Sequence, residues 1–453
     1  MLSCTDRNLP VRIRIARSID EGRQLLRAGR SLDTLSAPPS LAARIEATFG
    51  ERLTPMQVVE RIVQAVRDEG DVGLERFCRL IDGQFPSPLR VDPREMVAAR
   101  ERIPPELAGA LETAAQRILE FHRRSVRRSW FETSPEGVFG QIVRPLERVG
   151  LYVPGGRAAY PSSLLMSALP AKAAGVREVI VATPPGPDGR VPDVVLAAAE
   201  LSGVTSVFRV GGAQAVAAMA FGTESVPRVD KILGPGNLFV ALAKRLVSGV
   251  VGIDAITGPT ETLVVADGSA RVDRVAADLL AQAEHDPLAQ PVLITTSSEL
   301  LDALPAELDC QLASLSRADI ARESLESRGA LVLVRDLAEA VDLANEFAPE
   351  HLCLAVADPW SLLDEVRSAG GVFLGELSVE ALGDYVCGPS HVMPTGGSAR
   401  FASPLTVDDF VKVISLFAVS PEGLRRLGPV AVEVARAEGL TAHAASILRR
   451  LQG

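Results

Sequence analysis

Apolar residues recur along this chain in two rhythms. Over the first 150 or so residues they fall mainly at helical spacing. Thr54-Pro55 supplies a cap and a first-turn proline, and Val58, Val59, Ile62, Val63 and Val66 then line one face until Gly70. A second helical tract covers 93–128, interrupted at Pro104-Pro105. From Val149 the pattern changes to short, nearly continuous Val/Ile/Leu runs separated by helical stretches. The runs 150–153, 176–182, 204–210 and 229–233 read as strands, and after Gly258-Pro259 so do 262–266, 292–295, 330–334, 352–356 and 371–374. Such runs belong to strands buried on both faces, hence to parallel sheets covered by helices. Two arrays in succession predict two doubly wound, Rossmann-like α/β units. From Val407 the spacing predicts helices over 407–418, 421–437 and 442–451.

Composition narrows the class. A chain of 453 residues suggests about three domains at roughly 150 residues each. Acidic residues outnumber basic ones, 57 to 47, and no basic block falls on any predicted element. Nucleic acid and anionic membrane are therefore poor partners. Cys4, Cys78, Cys310, Cys353 and Cys387 are odd in number and contain no CxxC pair, which fits a reducing compartment better than a disulfide framework. Arg7, Arg12, Arg14 and Arg17 open the chain without an apolar run, and nothing later approaches the roughly 20 apolar residues of a membrane span. The expectation is a soluble cytoplasmic protein.

The chain has 5 histidines, and four of them sit among acidic or amide residues. Gln282 and His285, three apart near the end of a helix starting at Val272, share its last turn. In Ala348-Pro349-Glu350-His351, Pro349 restricts Ala348 to an extended conformation and stops the helix, leaving two proton acceptors at a strand start. Asp384 and His391 fall within 383–397, where glycines and prolines predict irregular structure; Cys387 between them reads as a small buried residue. Glu438 and His443 flank Thr441, which looks like a helix cap. His122, among charges, reads as solvated. A set of His, Asp and Gln without thiolates suits Zn²⁺ in an open, reactive site. There is no GxGxxG, and the glycine turns Gly211-Gly212 and Gly234-Pro235-Gly236 are weak anion signals at helix starts. The residues by themselves predict a metal-assisted enzyme on an α/β scaffold. They leave open a metallohydrolase using Glu350 on water, or a noncatalytic dimer tied by metal.

The motifs Gly150-Leu151-Tyr152-Val153-Pro154-Gly155-Gly156, Val210 to Ala215, Gly234 to Asn237, Gly258 to Glu261, Gln282 to Asp286, Ala348 to Leu352, Gly383 to Gly397 and Leu440 to His443 together resemble the histidinol dehydrogenase family, in order and over nearly the whole chain. The resemblance implies a homodimeric, zinc-dependent, NAD-linked enzyme of histidine biosynthesis, oxidising L-histidinol to L-histidine through L-histidinaldehyde. It implies one Zn²⁺ per subunit, with Gln282, His285, Asp384 and His443 as ligands. Glu350 and His351 take the acid/base roles. Thr260, Gln282, His285, His351, Asp384, His391, Glu438 and His443 contact substrate, and Tyr152, Gln214 and Asn237 contact NAD. Glu438 and His443 are expected to reach the neighbouring subunit's site. Thr260 stands where serine is common and Ser390 where asparagine is frequent, and relatives act on other small polar alcohols. The expected organisation is an arm over 1–25, a discontinuous α/β unit from 26–151 and 260–405, an inserted α/β unit over 152–259, and a helical segment over 406–453.

Overall fold

The computed structural model describes residues 10–27, 39–155, 159–255 and 258–452. Cys4, Arg7 and Gly156 lie outside them. Both predicted parallel sheets are present. One has six strands in the order Arg14–Ala16, Ala330–Leu333, Gln290–Thr295, Glu261–Ala266, His351–Ala355, Gly371–Leu374. The other has five, Ser206–Arg209, Glu178–Thr183, Arg148–Tyr152, Lys231–Leu233, Gly252–Ile253. All pairings within these two sheets are parallel. In each sheet the chain builds outward to one side and then returns to the other, so the strand order reverses at a central pair. That pair is Glu261–Ala266 with His351–Ala355 in the first sheet, and Arg148–Tyr152 with Lys231–Leu233 in the second.

The helix Pro55–Glu69 forms as its sequence predicts. The Thr54 side chain caps the Gln57 N–H, and the Gln57 side chain caps Thr54 in return. Its buried stripe, with Val58, Val59, Ile62 and Val66, does not face the six-stranded sheet. It packs on the helix Gly212–Phe221, through Ala213, Val216, Ala217 and Ala220. The helices Pro93–Arg102 and Pro105–Arg123 likewise join Leu165, Leu169, Val195 and Ala199. Helices apolar all round, such as Gly212–Phe221, need cover on both sides, and these N-terminal helices provide it. The expected partition is corrected accordingly. Helices from 55–123 belong with the five-stranded sheet, strand Arg148–Tyr152 opens that sheet ahead of position 152, and Arg14–Ala16 of the expected arm is an edge strand of the other sheet.

The expected helix over 407–418 is absent. Thr406 and Asp409 cap a short 3-10 turn, Val407–Phe410, and the chain then runs as the strand Val411–Val419. Its β-branched and aromatic residues pair antiparallel with Gly137–Pro145 along their full length, and Trp130–Ser134 completes a three-stranded sheet that helical spacing had concealed. Helices Pro421–Ala437 and Thr441–Leu451 follow as a hairpin with a small core of its own, Val432, Ala435 and Ala444. Leu440, not Thr441, occupies the cap position. No helix among the described residues is long and apolar enough to cross a membrane.

Candidate active site

The amino ends of the two central strands of the six-stranded sheet lie side by side, with His351 in register with Thr262. Thr260 and Glu261 at the head of one strand therefore meet Glu350 and His351 at the head of the other. The Thr260 hydroxyl donates to Glu350 Oε2 (2.5 Å), and the Glu261 N–H donates to the same oxygen (3.0 Å). Glu350 is buried, and burial pushes its carboxyl up to about 7, against the opposing pull of His351 and these two bonds.

Successive residues of a regular strand point to opposite faces. Glu350 escapes that rule because it precedes the strand. Helix Leu337–Phe347 ends at Ala348, which is left-handed (φ 50°) rather than extended as its following proline predicts, because it caps the helix through a bond from its N–H to the Ala344 carbonyl.

His351 is also buried. Its Nδ1 lies 3.1 Å from the Glu261 carbonyl oxygen, which can only accept, so Nδ1 carries the proton and Nε2 offers its lone pair. Nε2 is shielded from solvent and has no partner among the described residues. An imidazole held in this way presents Nε2 as the atom open to a donor.

Helix Val272–Ala283 brings Gln282 beneath the same strand heads. With its amide set so that Nε2 donates to Glu380 Oε1 (2.6 Å) and Thr262 Oγ1 (3.0 Å), Oε1 accepts from the Glu261 N–H (3.0 Å) and touches the Thr260 hydroxyl. His285 follows on the rim, its N–H bonded to the Gln282 carbonyl (3.2 Å). Desolvation lowers its pKa, with Asp384 pulling the other way. Asp384 lies in the last turn of a six-residue helix, Glu380–Tyr385, in a stretch where glycines predict irregular structure. His391 donates from Nδ1 to the Asp384 carbonyl (2.8 Å), and Ser163 donates to its Nε2 (3.2 Å). Ser163 opens the helix after strand Arg148–Tyr152, so His391 joins the amino edge of one sheet to the carboxyl edge of the other.

On that second edge stand Tyr152, Gln214 and Asn237. Tyr152 Oη accepts from the Gly212 N–H (3.1 Å), Gln214 donates to Asp82 Oδ2 (3.0 Å), and Asn237 Oδ1 caps Phe239 and Val240 (3.0 and 3.2 Å). A Cβ on Gly234 would lie 2.3 Å from the Tyr152 carbonyl oxygen, and one on Gly236 would lie 2.3 Å from Val240. This compact glycine turn, opening a helix at the point of strand-order reversal, fits the phosphates of a dinucleotide.

Glu438 and His443 are not brought to the site. Both are exposed on the C-terminal hairpin, and no hydrogen bond or ion pair among the described residues links them to the others. Nor does any group of three or more His, Cys, Asp and Glu gather as a metal shell among the described residues. Gln282, His285 and Asp384 offer one amide, one imidazole and one carboxylate, a donor set that fits a divalent ion but is short of a tetrahedral shell.

Sequence reasoning passed over Glu380. It is buried, takes a bond from the Thr262 hydroxyl (2.5 Å), stands 3.5 Å from His351 Nδ1, and burial raises its pKa well above the ordinary range. The available signal was its spacing of four from Asp384, which places both carboxyls on one face of a helical turn. Two minor expectations are corrected as well. Cys387 is exposed, not buried, because it follows the short helix where the chain turns outward. His122 is 1% exposed, on the inward face of Pro105–Arg123, with Phe121 edge-on to its ring at 5.2 Å. Its helical position, not its charged neighbours in sequence, decides its surroundings.

Comparison with known proteins agrees with this arrangement. The family profile described as histidinol dehydrogenase matches residues 50–451. Histidinol dehydrogenase of Deinococcus radiodurans is 55% identical over 425 residues, 93% of this chain and 97% of that protein. The Thermus thermophilus enzyme is 52% identical over 415 residues, covering 90% and 99%. The crystal structure of histidinol dehydrogenase from Elizabethkingia anophelis superposes with a TM-score of 0.89 at 32% identity, covering 98% of this chain and 99% of that one. With its motifs in place on the same fold from end to end, the chain belongs to the histidinol dehydrogenase family.

Proposed function

We propose that the protein oxidises L-histidinol to L-histidine through L-histidinaldehyde, using NAD and Zn²⁺ in a homodimer of a reducing, cytoplasmic compartment. The observation that carries this reading is the pair Glu350 and His351, two buried proton acceptors of different kinds at one strand head. Oxidation of an alcohol to an acid needs two proton removals of different character, and the pair is suited to both.

In the first oxidation His351 Nε2 takes the hydroxyl proton, since its Nδ1–H is already committed to the Glu261 carbonyl. In the second, water must add to the aldehyde, and Glu350, with a pKa of about 7, is sufficiently ionised at neutrality to deprotonate that water and sufficiently basic to do it well. Thr260 holds the Glu350 carboxylate in place, and His391, anchored by Asp384 and Ser163, closes the site against the second sheet. Gln282, His285 and Asp384 would hold the metal together with His443 of the partner subunit. When bound, zinc would help to orient the substrate, and two molecules of NAD in succession would each take one hydride at the edge formed by Tyr152, Gln214 and Asn237.

The dimer has support of its own. Trp130, Phe131, Ile414, Phe417, Val430 and Val434 leave large apolar side chains 46–75% exposed on the three-stranded sheet and the C-terminal hairpin, a surface suited to a second copy. Purified protein given L-histidinol and NAD is expected to form NADH, to stop after chelation, and to resume on addition of zinc. Zinc-loaded protein that forms no NADH from histidinol would overturn the assignment.

A further inference from the structure

Behind the glycine turn Gly234-Pro235-Gly236 lies a buried ion pair. Lys244, from the helix Leu238–Val247, is 0% exposed, and the Asp254 side chain facing it is 5% exposed. Their charged ends are in direct contact. Both also grip the same residue of the turn. Asp254 Oδ2 accepts from the Gly234 N–H (2.7 Å), and Lys244 Nζ donates to the Gly234 carbonyl (3.1 Å). The Asp254 Oδ1 takes a third bond, from the Ala255 N–H (2.7 Å).

Removing two charges from water is costly, and apolar residues of similar size commonly stabilise a fold equally well. A buried pair is thus weak evidence of added stability, and what distinguishes this one is its hold on Gly234. Gly234 has a backbone conformation open to glycine (φ 109°), and a Cβ there would strike the Tyr152 carbonyl oxygen. Gripped at both its N–H and its C=O, Gly234 has little rotational freedom, and the turn directs its next residues toward Asn237 and the helix start. Tyr152 and Asn237, on either side of the turn, are the residues assigned to the dinucleotide.

We propose that Lys244 and Asp254 are positioning residues for NAD. They hold the Gly234–Asn237 turn in the shape that receives the dinucleotide, so the ordering is done before the cofactor arrives. This rests on the assignment of that edge to NAD.

The test is calorimetric titration of NAD into the zinc-loaded dimer, without substrate. The double variant Lys244→Met with Asp254→Leu removes the pair together, so no unpaired charge stays buried, and both grips on Gly234 are lost. Its NAD dissociation constant is expected to rise at least tenfold, while zinc content and affinity for histidinol stay as in the parent. The variant Lys244→Met with Asp254→Asn keeps an acceptor for the Gly234 N–H and is expected to fall between the two; it also serves as the test if the first variant does not fold. Folded variants that bind NAD as tightly as the parent overturn the positioning role alone. A parent protein that binds no NAD overturns the cofactor assignment, and the inference with it. A loss shared equally by NAD, histidinol and zinc shows a merely structural pair and also overturns it.

Discussion

Glu350 Oε2 lies 3.8 Å from Nδ1 of His351, although the two residues are adjacent in the chain and the second opens a strand. The left-handed Ala348 and the proline after it turn the carboxylate back over the strand head, where the Thr260 hydroxyl and the Glu261 N–H fasten it. The two groups differ in what they can offer a proton: His351 is already bonded through Nδ1, and burial raises the Glu350 carboxyl to about 7.

Substituting Glu350 by Gln is expected to preserve the fold and the bond from Thr260 while removing the base of the second oxidation. The rate of aldehyde oxidation should fall about 10²–10⁴-fold, with zinc content and alcohol oxidation much less affected. In the parent, aldehyde oxidation should decline on the acid side with an inflection near 7, as the carboxylate gains its proton. Pre-steady-state rates with histidinaldehyde check both points; a Gln variant that keeps the parent's rate and its inflection would remove Glu350 from the mechanism.

Deleting the chain from Glu438 onward is expected to abolish activity without loosening the Glu350–His351 pair, which lies outside the hairpin. Mixed with the Glu350→Gln variant under conditions of subunit exchange, the truncated protein should regain activity. Random pairing makes half of the dimers mixed, each with one complete site, so recovery should reach about one quarter of the parent's sites. Mixtures that exchange subunits, as seen by mass, yet gain no aldehyde-oxidising activity would count against residues shared between subunits.

His122 provides a test of the fold apart from the chemistry. Burial lowers its pKa from 6.5 to about 4, and its ring has no hydrogen-bond partner among the described residues. The unfolded chain therefore binds a proton between those values that the folded chain refuses, and stability contributed by the neutral ring is lost as pH falls through that window. The loss approaches about 3 kcal/mol at its acid end. His122→Leu should be as stable as the parent at pH 7 and should escape that loss, so the two urea-unfolding midpoints diverge as the pH is lowered from 6.5 to 4. Parallel curves would show that His122 titrates normally.

Much of this could be read from the chain. Apolar runs such as those ending at Ala266 and Thr295 identified the inner parallel strands within a residue or two, because strands buried on both faces carry few polar residues to blur the pattern, whereas the short edge strands Arg14–Ala16 and Gly252–Ile253 gave no such run. The strand Val411–Val419 was hidden because its burial follows no alternation: most of it is exposed, and its apolar residues satisfy helical spacing by coincidence. Packing of the helices at 55–123 was invisible too, since an amphipathic stripe states that a face is buried and not what buries it. At the site, Gln282, His285, Glu350, His351, Asp384 and His391 stand out for their residue types. Glu380 does not, because what distinguishes it, burial against His351 and Gln282, exists only once the strand heads and the short helix Glu380–Tyr385 are assembled.

The central claim is that one site carries an amino alcohol through two successive oxidations, and the amount of NADH formed per histidinol consumed tests it most directly. Two NADH per histidinol, with histidine as the product and no free aldehyde accumulating, is the result expected of a site holding both His351 and Glu350. One NADH per histidinol with aldehyde released, or consumption of histidinol without NADH, would contradict it.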